Sequence, residues 1–226
     1  MNYRDYAIFD TETTSANPLK TQPCSLACVM VHGRTLEIKP GSEFNSYINV
    51  ITDQDECDRL ELDKMQEGAT KVHGLTEEFL STAPSLKTVW SNFVDYTKEY
   101  NFRGTDFTAP VAVGYNIRNF DLPIVERICS KEPWNYGPKS EKFPRGNVLH
   151  PIYAIDVMDL MFTFFENSKE VNSLSADNLI RNFLGYSKGT AHDAMSDVIM
   201  VAELFCKTMR MIRGVCKNRK FKGSMT

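Results

Sequence analysis

The order of the apolar segments constrains the fold of this 226-residue chain most. Apolar runs of strand length come first, and further strands then alternate with helices whose apolar residues recur at three- and four-residue spacing. The predicted strands are 6–10, 25–32, 35–39, 110–115 and 152–157, with 44–50 as a further edge strand. The predicted helices are 86–97, 120–129, 158–166, 175–184 and 193–211. This order predicts an α/β fold in which helices flank a mixed sheet.

The composition fits one globular domain in a reducing compartment. With 42% hydrophobic and 24% charged residues, the chain can bury a sizeable core. No apolar run approaches the about 18 residues that a membrane span needs, and no export signal precedes the first strand. The six cysteines include no CxxC pair, so neither a zinc site nor a disulfide framework is predicted. We therefore expect a cytoplasmic protein without membrane association.

Charge is unevenly distributed along the chain. The net charge of -3 does not indicate a nucleic-acid binder, but seven acids lie between Asp53 and Glu67, and seven basic residues without an acid lie between Lys207 and Thr226. The basic segment could guide single-stranded nucleic acid, or it could be the solvated end of a helix. We therefore expect a folded domain over 1–212 and a basic tail over 213–226.

Two carboxylates lie one residue apart at the end of the first predicted strand. Because side chains alternate faces along a strand, Asp10 and Glu12 are expected to point the same way. Two converging anions repel each other unless a cation lies between them, and a hard divalent ion suits oxygen ligands. The alternative is that Asp10 is a turn residue and Glu12 caps the next element.

Three further acids occupy informative positions. Asp121 follows the 110–115 strand, at the sheet edge where open α/β folds bind ligands, although it could simply cap the next helix. Asp197 lies one turn inside the last helix beside apolar residues, so it needs a partner or a metal. Asp156 could be a fifth ligand, but a structural hydrogen bond or a helix cap explains it more simply.

His192 is the candidate general base. Thr190 and Asp193 have the spacing of a variant capping box, which would place His192 in the first turn of the last helix. The positive end of a helix disfavours imidazolium, and a neutral histidine beside metal-bound water can accept its proton. The alternative is a surface histidine near a helix start.

Together these segments resemble the three motifs of the DEDDh, or DnaQ-like, 3′-to-5′ exonuclease family. Asp10 and Glu12 match the first motif, Asp121 the second, and His192 with Asp197 the third. The third motif is most similar to that of bacterial exonuclease I, while the 115–121 spacing is similar to that of family B polymerase exonuclease domains. The resemblance implies a ribonuclease H-like fold with a central five-stranded mixed sheet, and release of nucleoside 5′-monophosphates.

The resemblance also implies cofactors and substrate contacts. The four acids would hold two divalent ions, with Mg²⁺ the natural occupant and Mn²⁺ a substitute, and His192 would take the proton of the attacking water. The segment 72–76 is similar to a family segment near the terminal nucleotide. The candidate substrate-binding residues are Thr11, Thr13, His73, Leu75, Asn116 and Phe120. Each is also plausible as a core or turn residue.

The predicted function is metal-dependent 3′-to-5′ exonucleolysis of single-stranded DNA. Nothing in the motifs reads a 2′-hydroxyl, so an exoribonuclease that trims RNA is the alternative. An inactive binding module is a lesser alternative, because it would lack a metal ligand or the base, and all five positions are filled here. The chain has no room for a polymerase domain, so proofreading would require a separate DNA polymerase partner.

Overall fold

The computed structural model describes residues 4–131, 143–146, 148–169, 171, 173–185 and 193–218, with the backbone alone at 131, 177, 181 and 216–218. Within these residues five strands form one sheet: β1 (Tyr6–Thr13), β2 (Pro23–Val31), β3 (Phe44–Tyr47), β4 (Val111–Gly114) and β5 (Ala154–Asp156). Their spatial order is β3-β2-β1-β4-β5. The pairs β1–β2 and β2–β3 are antiparallel, whereas β1–β4 and β4–β5 are parallel. The predicted mixed five-stranded sheet is confirmed.

Helices cover the sheet and connect its strands. They are α1 (Gln54–Leu60), α2 (Glu67–His73), α3 (Glu77–Leu80), α4 (Leu86–Glu99), α5 (Asp121–Lys131), α6 (Val157–Phe165), α7 (Ala176–Leu179) and α8 (Ala194–Asn218). A 3₁₀ turn spans Asp106–Thr108, and a π-helical turn, Ile180–Leu184, continues α7. Among the helices in the described part of the chain, none combines the length and apolarity needed to cross a bilayer.

Strand β1 is buried on both faces because each face packs against a different helical layer. Ala7 and Phe9 belong to a core cluster with residues of α4 and α5, such as Phe93 and Ile124. Ile8 belongs to a second cluster, which is formed largely with α8. The period-two alternation of a strand therefore divides β1 between the two layers.

The segment 35–39 does not form the predicted strand. Leu36 has a positive φ of 58°, and its N–H donates to the carbonyl of His32 in a tight turn. The chain returns toward β2 too sharply for a ladder to extend, and Ile38 makes only an isolated bridge with Val31. Strand β3 pairs with β2 instead, and the acidic stretch before residue 67 forms the short helix α1.

The predicted capping box at the start of the last helix is wrong. Helix α8 begins at Ala194, and the Asp193 carboxylate accepts hydrogen bonds from the Ser196 N–H at 3.1 Å and the Ser196 hydroxyl at 2.8 Å. Asp193 is therefore the N-cap itself and not a residue of the first turn. Thr190 lies outside the described residues. Asp197 lies one turn inside α8, as expected, because its N–H donates to the Asp193 carbonyl.

Helix α8 continues past residue 212 to Asn218, and some of its basic side chains contact the turn after β2. Arg213 donates to the carbonyls of Gly33 and Arg34 at 2.9 and 3.0 Å, and Arg210 donates to the carbonyl of Leu36 at 2.5 Å. These contacts tie the helix end to the domain. A separate tail over 213–226 stays a prediction.

Candidate active site

The carboxyl ends of the parallel strands β1 and β4 lie side by side and define the site. Their register pairs Ile8 with Val113, and β4 ends at Gly114. A Cβ atom at Gly114 would lie 2.8 Å from Cδ1 of Ile117 and 3.0 Å from the carbonyl oxygen of Phe9. The missing side chain therefore lets the end of β4 approach β1 closely, directly before Asp10.

Asp10 and Glu12 continue the face of β1 that packs against α8. The side chains of Tyr6 and Ile8 on that face contact the α8 layer, in which Val198 is buried. This alternation brings Asp10 and Glu12 to Asp197, and one carboxylate oxygen from each of the three lies within 4.8 Å of the others. All three residues are half-buried. The strand geometry thus produces the predicted convergence of acids.

Asp121, the first residue of α5, is buried beside this cluster. Its Oδ1 atom accepts two hydrogen bonds from Thr11, one from the backbone N–H at 3.1 Å and one from the hydroxyl at 2.7 Å. Thr11 lies between Asp10 and Glu12 in β1, so it connects the second carboxylate motif to the first. Asp121 is not one of the three residues within 4.8 Å of one another.

The burial of Asp121 and the nearby negative charge of Asp10 favour binding of a cation. Burial raises the pKa of its carboxyl well above the ordinary value near 3.8, and the negative charge of Asp10 raises it further, while the hydrogen bonds from Thr11 oppose the rise. A divalent cation among these oxygens would favour the ionised form of every carboxylate. Carboxylate oxygens are the donors that Mg²⁺ and Mn²⁺ prefer. The donor set therefore fits a divalent metal.

Asp156, at the end of β5, anchors the loop that leads to Asp121. Its Oδ1 accepts from the N–H groups of Asn116 at 2.9 Å and Met158 at 3.0 Å, and its Oδ2 accepts from the Arg118 N–H at 3.1 Å. The bond to Met158 caps α6, as the sequence suggested. The anchoring of the loop was missed, and the available signal was an acid at the junction between a strand and a helix, next to the strand that precedes Asp121.

The loop after β4 presents two of the predicted substrate contacts. Asn116 has a positive φ of 55°, and its Oδ1 accepts from the side-chain amide of Asn119 at 3.0 Å. Phe120 is half-buried against the core cluster of α4 and α5. Both residues therefore also have structural contacts, and their contact with substrate stays a prediction.

His73 joins the 72–76 segment to the end of β1. Its Nδ1 accepts from the Leu75 N–H at 3.0 Å, so the ring proton lies on Nε2, which is 3.2 Å from the Thr13 carbonyl oxygen. Thr13 is paired in register with Pro23, which has no N–H to donate. His73 therefore provides a donor at the last residue of β1, one position after Glu12.

The remaining candidates have these positions. The Thr13 hydroxyl donates to the Ser15 carbonyl at 3.0 Å, and Leu75 packs against the buried residues Cys24, Val50 and Leu80. His192 lies outside the described residues, and its role as the base stays a prediction. The structure thus brings Asp10, Glu12 and Asp197 together, links Asp121 to them through Thr11 of β1, and places His73 against the end of that strand.

The sequence also matches a known family model. Residues 7–205 match the RNase_T exonuclease model, a region that contains all four acids and His192. The chain belongs to this exonuclease family. The predicted family membership is therefore confirmed. No match to a curated protein sequence was found.

Solved structures of exonucleases share the fold at low sequence identity. Cell-death related nuclease 4 (CRN-4) is 15% identical over 93% of this chain and 65% of that chain, with a TM-score of 0.66. The nuclease domain of 3′hExo, a DEDDh family member bound to rAMP, is 13% identical over 92% of this chain and 93% of that one, with a TM-score of 0.64. E. coli exonuclease I in complex with a dT13 oligonucleotide is 16% identical over 92% and 42%, with a TM-score of 0.61.

These likenesses confirm the predicted ribonuclease H-like fold. The chain spans less than two thirds of the CRN-4 chain and less than half of the exonuclease I chain. At such identities the shared property is the fold, and the chemistry must be argued from the residues of the site.

Proposed function

We propose that this chain is a metal-dependent 3′-to-5′ exonuclease that hydrolyses the terminal phosphodiester of single-stranded DNA and releases nucleoside 5′-monophosphates. The observation that carries the proposal is the convergence of Asp10, Glu12 and Asp197 within 4.8 Å, with Asp121 held beside them by Thr11. Such a concentration of acids is costly without a cation, and a metal-assisted phosphodiesterase requires it.

Asp10, Glu12, Asp121 and Asp197 would hold the metal. Bound divalent ions, Mg²⁺ or Mn²⁺, would supply Lewis-acid stabilisation of the charge that develops on the phosphate. The buried Asp121 and its bonds to Thr11 keep that carboxylate in one orientation, since a ligand fixed by hydrogen bonds needs less reorganisation on binding. The half-buried acids of β1 and α8 leave the site open to a phosphodiester from solvent.

The other roles are assigned as follows. His192 takes a proton from the attacking water, and Leu75 and Phe120 contact the terminal base. Asn116 lies in the loop anchored by Asp156 and is assigned to the substrate backbone. Thr11 and Thr13 of β1 are assigned to binding of the 3′ end of the substrate. His73, which contacts the end of β1, is assigned to the same role. A polymerase partner and a cytoplasmic location are also proposed, on sequence reasoning alone.

RNA is the second candidate substrate. One structural neighbour recognises the 3′ end of a histone mRNA stem-loop, with 14% identity over 93% of this chain, 84% of that chain and a TM-score of 0.63. The fold therefore accommodates RNA 3′ ends in at least one relative. We retain DNA as the first choice because the third motif resembles that of exonuclease I.

A time course on 5′-labelled DNA and RNA of the same sequence tests the proposal. We expect a ladder of products shortened from the 3′ end with Mg²⁺, and no products with EDTA. Asp197→Asn should reduce the rate by roughly 100- to 1,000-fold, because removing a metal ligand costs several kcal/mol of transition-state stabilisation. Asp95→Asn, which changes an exposed acid paired with Lys98 on α4, is the matched control and should retain activity. Cleavage unaffected by EDTA would refute the proposal, and faster cleavage of RNA would favour the second substrate.

A further inference from the structure

An exposed aromatic pair lies at the edge of the sheet on the side of the active site. Tyr47, the last residue of β3, and Phe79 of α3 have ring centroids 4.9 Å apart and an interplanar angle of 87°. Tyr47 is 40% exposed and Phe79 is 51% exposed. They border a groove of about 370 Å³ that also includes Asn45. Exposed apolar surface beside a groove is a feature of binding sites.

The strand register connects this pair to the acids. Glu12 pairs with Ser25 of β2, and Ser25 pairs with Tyr47 of β3. Residues directly opposite one another in adjacent strands point to the same face, so Tyr47 lies on the face that carries the carboxylate of Glu12. Two strand spacings separate the two residues, roughly 10 Å.

A second row of the register repeats the arrangement. Asp10 pairs with Ala27, and Ala27 pairs with Asn45, whose side chain is exposed beside the groove. The intervening residues of both rows, Ser25 and Ala27, are small and buried. Strand β2 therefore places no large side chain between the acids and the aromatic pair, and its two residues there are themselves covered, Ala27 by the α8 layer.

We infer that Tyr47 and Phe79 form a base-stacking subsite for single-stranded nucleic acid, occupied by the second or a further nucleotide before the scissile phosphodiester. The inference rests on the proposed function. A strand whose 3′ end lies at the carboxylates must continue over the protein surface, and the aromatic pair lies on the same face within reach of its next nucleotides. Aromatic rings stack on any base, and the Asn45 amide can both donate and accept hydrogen bonds.

The surrounding charge defines which part of the nucleic acid the subsite binds. Glu77 and Glu78 directly precede Phe79 in α3, and Glu43 immediately precedes β3. These acids disfavour a phosphate at the pair, so we assign the subsite to a base. Base stacking releases few counterions, and loss of the aromatic pair should therefore weaken binding without changing its salt dependence.

Variants tested on substrates of two lengths separate the subsite from the catalytic centre. Phe79→Ala and Tyr47→Ala should raise KM for a single-stranded DNA decamer about 5- to 150-fold, the expected loss of one stacked base. Neither variant should change kcat or KM for a dinucleotide, which is too short to reach the pair. Phe79→Trp should restore the wild-type KM, because it retains a stacking ring.

Phe107→Ala is the matched control. Phe107 is 45% exposed, and it lies just before β4, at the end of the sheet opposite to the acids. This variant should behave as wild type on both substrates. Equal effects of Phe79→Ala on the decamer and the dinucleotide would overturn the inference, because they would indicate a structural defect.

Equilibrium binding distinguishes failure of this inference from failure of the proposed function. Fluorescence anisotropy of a labelled decamer in EDTA requires no cleavage. Weaker binding by Phe79→Ala with an unchanged slope of log Kd against log salt supports the subsite, even if the wild-type protein has no nuclease activity. Wild-type binding by both Phe79→Ala and Tyr47→Ala would overturn it and would leave the pair to a protein partner.

Discussion

The backbone N–H and the hydroxyl of Thr11 both donate to the same carboxylate oxygen of Asp121, at 3.1 and 2.7 Å. These bonds link β1 to α5. In the sequence, Asp121 follows Asp10 by 111 positions and Glu12 by 109 positions. The side chain between the two acids of β1 therefore positions the third acid. Two donors on one oxygen fix the orientation of the Asp121 carboxylate.

Removing the Thr11 hydroxyl should impair both stability and catalysis. Thr11→Val retains the shape of the side chain but leaves a buried carboxylate with one fewer donor, which should cost about 1–3 kcal/mol. We expect kcat to fall by roughly 10- to 100-fold, because Asp121 would lose its fixed orientation. Urea unfolding and steady-state kinetics measure the two effects.

The control for Thr11→Val is Thr97→Val. The buried Thr97 hydroxyl donates to the Val94 carbonyl at 3.0 Å within α4, a helix that carries none of the four acids. This variant should lose stability on a similar scale and retain kcat. An equal loss of kcat in both variants would show that the effect of Thr11 is not specific to Asp121.

Asp121 should destabilise the metal-free protein at neutral pH. Burial and the charge of Asp10 raise the pKa of Asp121 well above its ordinary value near 3.8. The protonated form therefore favours folding below that ordinary value, and this contribution is lost as pH rises through the higher pKa of the folded state. Asp121→Asn should raise Tm in EDTA at pH 7 and should reduce the increase in Tm on addition of Mg²⁺.

Asp156→Asn is the matched control for this charge removal. Asp156 is also buried, but its carboxylate accepts from three backbone N–H groups, so the neutral amide should lower Tm both in EDTA and in Mg²⁺. Thermal unfolding with and without Mg²⁺ gives the comparison. A lower Tm for Asp121→Asn in EDTA would contradict the expected electrostatic penalty.

His73 should influence catalysis through the end of β1. His73→Ala removes the donor to the Thr13 carbonyl and the acceptor for the Leu75 N–H, and we expect kcat to fall by roughly 10- to 100-fold. His73→Gln can still donate to Thr13 and should retain more activity. A purely substrate-binding role would instead raise KM with kcat unchanged, and steady-state kinetics on a short oligonucleotide separates the two.

His32 provides the control for His73. Its Nδ1 also accepts from a backbone N–H, that of Thr35 at 3.2 Å, but it lies in the turn after β2, away from the acids. His32→Ala should leave kcat and KM unchanged. If both histidine variants lose activity equally, loss of global stability explains the result.

We expect that no side chain is tolerated at Gly114, because β4 approaches β1 closely at this residue. Gly114→Ala would bring a Cβ within 3.0 Å of the Phe9 carbonyl oxygen and 2.8 Å of Ile117, so we expect a loss of about 1–3 kcal/mol and reduced activity. Gly68→Ala is the control, because no atom lies within 4 Å of its added Cβ in α2. There the substitution should be neutral or stabilising by up to about 1 kcal/mol. Urea unfolding of both variants checks the difference.

The alternation of a strand was enough to predict that Asp10 and Glu12 share a face, because this depends only on local backbone geometry. The apolar spacing likewise predicted α4, which begins at Leu86 after the cap Ser85. The segment 35–39 was mispredicted, since a strand-like composition cannot show that Leu36 adopts a positive φ and closes a turn. The start of α8 was missed because several residues near it can act as a cap. The hydrogen bond that Asp193 accepts from the Ser196 N–H identifies Asp193 as the N-cap.

The sequence by itself determined the mixed sheet and the family, and it pointed to the acids that the structure places near one another, because apolar periodicity and motif spacing are properties of the linear chain. Only the tertiary structure decided which contacts hold those acids in place. Thr11 donates to Asp121, Asp156 accepts from N–H groups of the 116–118 loop, and His73 contacts the Thr13 carbonyl. Each of these contacts joins residues at least 38 positions apart. The register that aligns Glu12 with Tyr47 was also decided only there, because the pairing of strands depends on the packing of the whole sheet.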